Sequence, residues 1–189
     1  WMLIASPPCT MFSTLQNISI AKRDADEVEV KLEDAMMHLS FAALMCIRQA
    51  KQGRKFMLEH PVGASSWSTA VLNKLYFLEG AERVNFDFCM GGMKSSKGKE
   101  NEMVKKRTGV MTNCPGVVKY LRSLQCDGEH PHTLLVGGKA RECQEYPEEF
   151  CQGVCRATMA EKNSRSQLGG MINSLQVADQ EVKDVTRLI

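Results

Sequence analysis

The chain reads as an α/β protein, a parallel sheet flanked by helices with a possible antiparallel edge strand. Three observations predict this. Two short apolar runs, Met2 to Ala5 and Phe56 to Leu58, each empty into a proline-bearing loop, at Pro7-Pro8 and at Pro61. Between them, from about Asp24 to Lys51, apolar residues recur at three- and four-residue steps, the period of an amphipathic helix. A helix of that length is what a crossover between parallel neighbours requires, so the two runs are expected side by side.

With 189 residues, 43% of them hydrophobic, the chain can bury the core of one such domain. The domain is expected over residues 1–160, with 161–189 a polar tail or linker helix hinged at Gly169-Gly170. No apolar run approaches the length of a membrane span, so no membrane partner is expected. The eight cysteines lack the dense spacing of a secreted disulfide scaffold, which points to reduced thiols in an intracellular compartment. A net charge of +2 permits nucleic-acid binding without demanding it. A Trp at position 1, inside a strand-like run and without an initiating Met, reads as the start of an internal fragment.

In chain order, the first strand delivers Cys9 on a stiff backbone. Pro7 and Pro8 fix their own φ and bias the residue before each towards extended geometry, and the carboxyl end of a strand is where chemistry gathers in open α/β sheets. A buried structural thiol is the other reading of Cys9. Gly53 is placed to stop the long helix, within which His38 is a surface or boundary residue. The second strand ends in Glu59-His60-Pro61. Parallel pairing would bring Cys9 and Glu59 out of one sheet edge, although Glu59 could also cap the following helix.

Ser65 or Ser66 could cap that helix, in which Trp67 is expected as a core anchor. Arg83 to Met90 alternates as a half-buried strand does. Lys94 to Lys106 is polar and lysine-rich, either a solvated linker or a flap over phosphate. Lys105-Lys106-Arg107-Thr108 leads into a further strand, and a short helix follows from Pro115 to about Leu124. Leu134-Leu135-Val136 is expected as a strand into Gly137-Gly138. Pro147 suits the first turn of a last helix, with Phe150, Val154 and Met159 on its inner face and Cys151 and Cys155 as packing residues.

Pro7-Pro8-Cys9-Thr10-Met11-Phe12-Ser13 resembles the Pro-Cys-Gln-x-Phe-Ser signature of the DNA cytosine-5 methyltransferases, with Thr10 in the place of Gln. Glu59-His60-Pro61, fifty residues after Cys9, resembles that family's Glu-Asn-Val signature, with His60 in the place of Asn. The run from Lys106 to Asn113 resembles the Lys-x-Thr-x-x-x-Thr-Asn segment of phage- and mobile-element-type relatives. The resemblance implies a partial Rossmann-like, methyltransferase-like sheet. It implies Cys9 as nucleophile, Glu59 as the carboxylic acid and Arg107 as a cation on the base, in a reaction drawing on S-adenosylmethionine in the intact protein. It further implies Ser6, Pro7 and Pro8 beside the methyl donor, and Ser13, Lys105 and Lys106 against DNA. The family's glycine-rich donor motif has no counterpart in this sequence.

Two other readings remain open. One is a catalytically inactive, nucleic-acid-binding domain of a mobile-element polyprotein. The other is a zinc-bound interaction module on Cys126, His130 and His132, with Cys114 or Cys143 as fourth ligand. The spacing of these residues matches no established zinc pattern, so no metal is assigned from the sequence.

Overall fold

The structure is a computed structural model that describes residues 1–14, 23–94, 102–133, 135 and 143–186, with side chains as far as residue 167. Strand β1 (Met2–Ala5) pairs in parallel with β2 (Lys55–Pro61), in the register Ala5 opposite Leu58. The helix between them, α1 (Ala25–Lys51), starts where the Asp24 carboxylate accepts the Asp26 and Glu27 amides. It ends at Gln52, followed by Gly53 at φ +68°. Such a cap satisfies amides that the first helical turn leaves unpaired.

The remaining strands depart from the expected parallel sheet. β3 (Glu82–Asp87), β4 (Met103–Val104) and β5 (Arg107–Thr112) follow in the chain, and the main sheet runs in the order β1-β2-β5-β3. β5 is antiparallel to both of its neighbours. The antiparallel strand is therefore internal, and β3 forms the edge. The cause is the connection: the chain leaves β3 through a 3-10 turn at Phe88–Gly91 and comes back along β4, with no described helix to carry it across the sheet. Strands β1, β2 and β3 still point the same way, so their carboxyl ends and the start of β5 share one edge.

Helices cover both faces. Phe56 and Leu58 pack with Leu39, Cys46, Leu72 and Met111 on the α1 side. The alternate residue Met57 packs with Val110, Val117, Leu121 and Phe150 on the other. That second face is covered by α3 (Pro115–Arg122) and by a long helix, α4 (Glu148–Thr186). The segment after β2 is not one helix but a 3-10 turn, a short helix α2 (Ala70–Asn73) and a second 3-10 turn, and its cap is Thr69, which accepts the Leu72 amide. Trp67 is a core anchor, its Nε1 donating to the Pro61 carbonyl at 2.8 Å.

Further expectations need correction. Helix α4 runs unbroken through residues 169–170, where a hinge was expected. Met159 is exposed, and so are Cys151 and Cys155, because the face turned towards the core carries Phe150, Gly153, Val154 and Ala157. The expected strand at 134–136 falls mainly outside the described residues; the strand that is described there, β6 (His132–Thr133), pairs in parallel with β4. No described helix is long and apolar enough to cross a membrane.

Candidate functional site

The shared sheet edge gathers most of the residues singled out from the sequence. Cys9 follows β1 and is half-buried, opening a 3-10 turn at Thr10–Phe12. Glu59 sits two residues before the end of β2 and is 93% buried, on the face that α4 covers. The two lie close enough for the Glu59 charge to act on the thiol. Burial pushes the Cys9 thiol above 9.0 and the Glu59 charge pushes it further, opposed by Lys106 and by the backbone amide of Cys9 itself.

Glu59 owes its position to a residue 87 positions away. Tyr146 Oη donates to Glu59 Oε2 at 2.7 Å, and Ser6 Oγ lies 2.6 Å from the same phenol oxygen. Because the single phenol proton goes to the carboxylate, Ser6 donates in turn to Tyr146. The second oxygen, Glu59 Oε1, is buried and has no hydrogen-bond partner among the described residues. A buried polar atom without a partner costs roughly 1–3 kcal/mol, so this oxygen is a place for a water, an ion or a ligand group to bind. It is the most informative atom of the site.

His60 occupies the Asn position of the family signature and acts as a latch. Its Nε2 lies 3.1 Å from the Pro7 carbonyl and its Nδ1 lies 2.7 Å from Ser66 Oγ. A carbonyl only accepts, so Nε2 carries the proton and Ser66 donates to Nδ1. Burial lowers the His60 pKa to about 4, against a partial rise from the Pro7 contact, so the ring is neutral. The neutral ring ties the Cys9 loop to β2.

The cation that acts on Cys9 is Lys106. Its Nζ lies 5.1 Å from the Phe88 ring centre and 5.7 Å from that of Tyr146, and donates to the Cys143 carbonyl at 3.2 Å. Arg107 is exposed and engaged elsewhere, its Nε 3.4 Å from Asp87 Oδ1. Of the two neighbouring cations, Lys106 is the one whose charge acts on the Cys9 thiol, whereas Arg107 faces Asp87. Lys105 is exposed beside His132, and Ser13 ends the 3-10 turn after Cys9. Tyr146 stands before the proline that opens the last helix, and nothing local to it announces the carboxylate it holds.

Comparison with family models, with curated proteins and with solved structures gives no match. The function must be read from the residues themselves.

Ser6, Pro7 and Pro8 line a shallow groove of about 320 Å³ together with Ile4, Phe41 and Met45. Apart from Ser6 and His38 the groove is walled by apolar side chains, and among the described residues no carboxylate lines it to hold the hydroxyls of a ribose. Its one serine hydroxyl is already bonded to Tyr146. These residues do not by themselves fit a bound S-adenosylmethionine, and the chemistry they account for ends before methyl transfer.

The cysteine and histidines of the Cys126 turn lie together near the end of β3. The fourth residue beside them is Cys89. Cys114 is buried against α3 and Cys143 packs in the core, so neither of the expected fourth ligands is in this group.

Proposed function

We infer that Cys9 and Glu59 form the thiol-addition centre of a DNA (cytosine-5-)-methyltransferase-like domain. The observation that carries this reading is the buried Glu59 Oε1, unpartnered among the described residues, beside a half-buried thiol at the carboxyl edge of two parallel strands. A cytosine ring supplies what that arrangement lacks, an acceptor nitrogen (N3) for a proton carried by the carboxyl group and an electrophilic carbon (C6) for sulfur.

Cytosine C5 is too weak a nucleophile to take a methyl group until C6 has been attacked. The raised pKa of Cys9 keeps it a thiol until the base arrives. The carboxylate then takes the thiol proton and passes it to N3 as sulfur bonds to C6, the C5=C6 electron pair moves to C4=C5, and the C4=N3 pair moves onto N3 to hold that proton. The S–H bond is broken, the S–C6 and N3–H bonds are made, and the ring becomes a neutral enamine. Lys106 stabilises the thiolate in passing, and Tyr146 and Ser6 hold the carboxyl group in place.

On this reading the sheet belongs to a Rossmann-like core, and the target base is flipped out of DNA towards Ser13, Lys105 and Lys106. The chain acts in a reducing, intracellular compartment, and S-adenosylmethionine is the methyl donor of the intact protein.

The test needs no methyl donor. In DNA carrying 5-azacytosine, C6 is electrophilic enough to take a thiol directly. The full chain should form a covalent adduct that survives denaturation. Cys9→Ser should abolish it, and Glu59→Gln should slow it by about 100-fold or more, the usual scale of a lost proton-transfer group. Wild-type protein that binds this DNA without forming an adduct would overturn the reading in favour of a non-catalytic nucleic-acid-binding domain.

A further inference from the structure

We propose that Cys89, Cys126, His130 and His132 bind one zinc ion in a tetrahedral site that joins the end of β3 to the 126–133 turn. The four ligand atoms all lie within 4.8 Å of one another. Cys126 Sγ is 3.4 Å from His132 Nε2 and 3.9 Å from His130 Nε2. Zinc bonds of about 2.3 Å to sulfur and about 2.0–2.1 Å to nitrogen give a tetrahedron with edges of roughly 3.3–3.8 Å. The Cys126–His132 separation is already of that size, and the widest pair, at no more than 4.8 Å, must close by about 1.5 Å at most.

Local sequence builds the cluster. Gly128 at φ +84° reverses the chain between Cys126 and His130, and the Asp127 carboxylate accepts the Glu129 amide at 2.9 Å to tighten that turn. His132 opens β6, which pairs with β4, and the Met103 amide donates to the Pro131 carbonyl at 3.1 Å. Cys89 lies in the 3-10 turn that ends β3, and Asp87 Oδ2 accepts the Cys126 amide at 3.2 Å. Two segments far apart in the chain therefore converge on one point.

The chemistry of the set selects the metal. Two soft thiolates and two imidazoles suit zinc, and two thiolate charges neutralise the dication. Binding releases the two thiol protons. Both histidines turn Nε2 to the cluster, which leaves His130 Nδ1 facing the Asp127 carboxylate at 4.0 Å, the outer-sphere partner that metal-bound histidines commonly have. Cys126 and His132 are only partly buried, so an ion has a path in.

The site is independent of the chemistry inferred for Cys9. Its structural role follows from the scarcity of regular structure around it. β4 and β6 have two residues each, too short a ladder to hold the 126–133 turn alone. A tetrahedral ion would supply the missing cross-link.

The full chain, purified under reducing conditions in buffer containing zinc, should carry one zinc per chain by elemental analysis. Replacement by cobalt should give the intense visible bands of a tetrahedral ion with sulfur-to-metal charge transfer. That spectrum needs no variant, so it reads the site even if ligand variants fail to fold. Cys89→Ser and His132→Gln should each cut metal content at least tenfold, whereas Cys114→Ala and Cys143→Ala should not. Asp127→Asn should weaken zinc binding about tenfold. No stoichiometric metal, an octahedral cobalt spectrum, metal that persists in Cys89→Ser, or a Cys89–Cys126 disulfide forming in preference to metal binding would overturn the proposal.

Discussion

Tyr146 Oη donates to Glu59 Oε2 at 2.7 Å, joining the segment before the last helix to the centre of the sheet. The bond satisfies one oxygen of a nearly buried carboxylate and leaves the other bare. The phenol pKa is raised, by burial first and then by the Glu59 charge, so Tyr146 stays a donor throughout the neutral range.

Tyr146→Phe removes that donor without changing the packing of the ring on Phe88 and Phe150. Both carboxylate oxygens are then buried without a partner. Denaturant unfolding should show a loss of about 1–3 kcal/mol. Adduct formation with 5-azacytosine DNA should slow as well, because the carboxyl group is no longer held. A variant as stable as wild type would mean that the bond contributes nothing.

His60 sets an acid limit to stability. Its folded pKa, about 4, lies below the unfolded value near 6.5, so the unfolded chain binds the proton more readily. Stability from this group is complete above pH 6.5 and is lost as pH falls from there towards 4. The full difference is about 3 kcal/mol. In His60→Asn the unfolding midpoint should be flatter between those pH values than in wild type, at some cost in stability at neutral pH. An unchanged acid slope would remove His60 as its cause.

Some of this architecture was legible in the residues and some was not, for identifiable reasons. Cys9 and Glu59 could be placed on one edge because apolar runs and a long helical period are local signals, and a helical crossover constrains strand direction. The insertion of β5 between β2 and β3 could not be read, since it depends on contacts between segments far apart in the chain that leave no local pattern. Tyr146 and Cys89 were missed because their partners are distant in sequence. The Cys126-to-His132 turn stood out as a cluster of ligand types, but the residue that completes it lies 37 positions earlier, at Cys89. Met159 and Cys155 were misplaced because helical spacing does not say how wide the buried stripe is.

Helices α3 and α4 approach closely through two glycines that should respond differently to the same substitution. A Cβ on Gly116 would lie 2.7 Å from the Ala157 carbonyl oxygen, which is backbone and cannot swing away. A Cβ on Gly153 would meet the ring of Tyr120, a half-exposed side chain that can move. Alanine also gains up to about 1 kcal/mol of helix propensity inside a helix. Gly116→Ala should therefore lose about 1–3 kcal/mol, the usual range for overpacking. Gly153→Ala should lose less, and adding Tyr120→Ala should be non-additive with it. Equal losses in the two single variants would contradict this contrast.

The reactivity of Cys9 gives the most direct reading of its surroundings. Its thiol is held above the ordinary 9.0 by burial and by the Glu59 charge, with Lys106 pulling the other way. Alkylation by iodoacetamide, followed site by site by mass spectrometry, should rise with pH with a midpoint above 9.0. Glu59→Gln removes a negative neighbour and should move that midpoint down. Lys106→Ala removes a positive one and should move it up. Opposite displacements from a substitution on β2 and one in the link between β4 and β5 would locate the thiol between the two charges. If Glu59→Gln left the midpoint in place, the carboxylate would not be facing the sulfur, and a proton relay from Cys9 to a bound base would have no path.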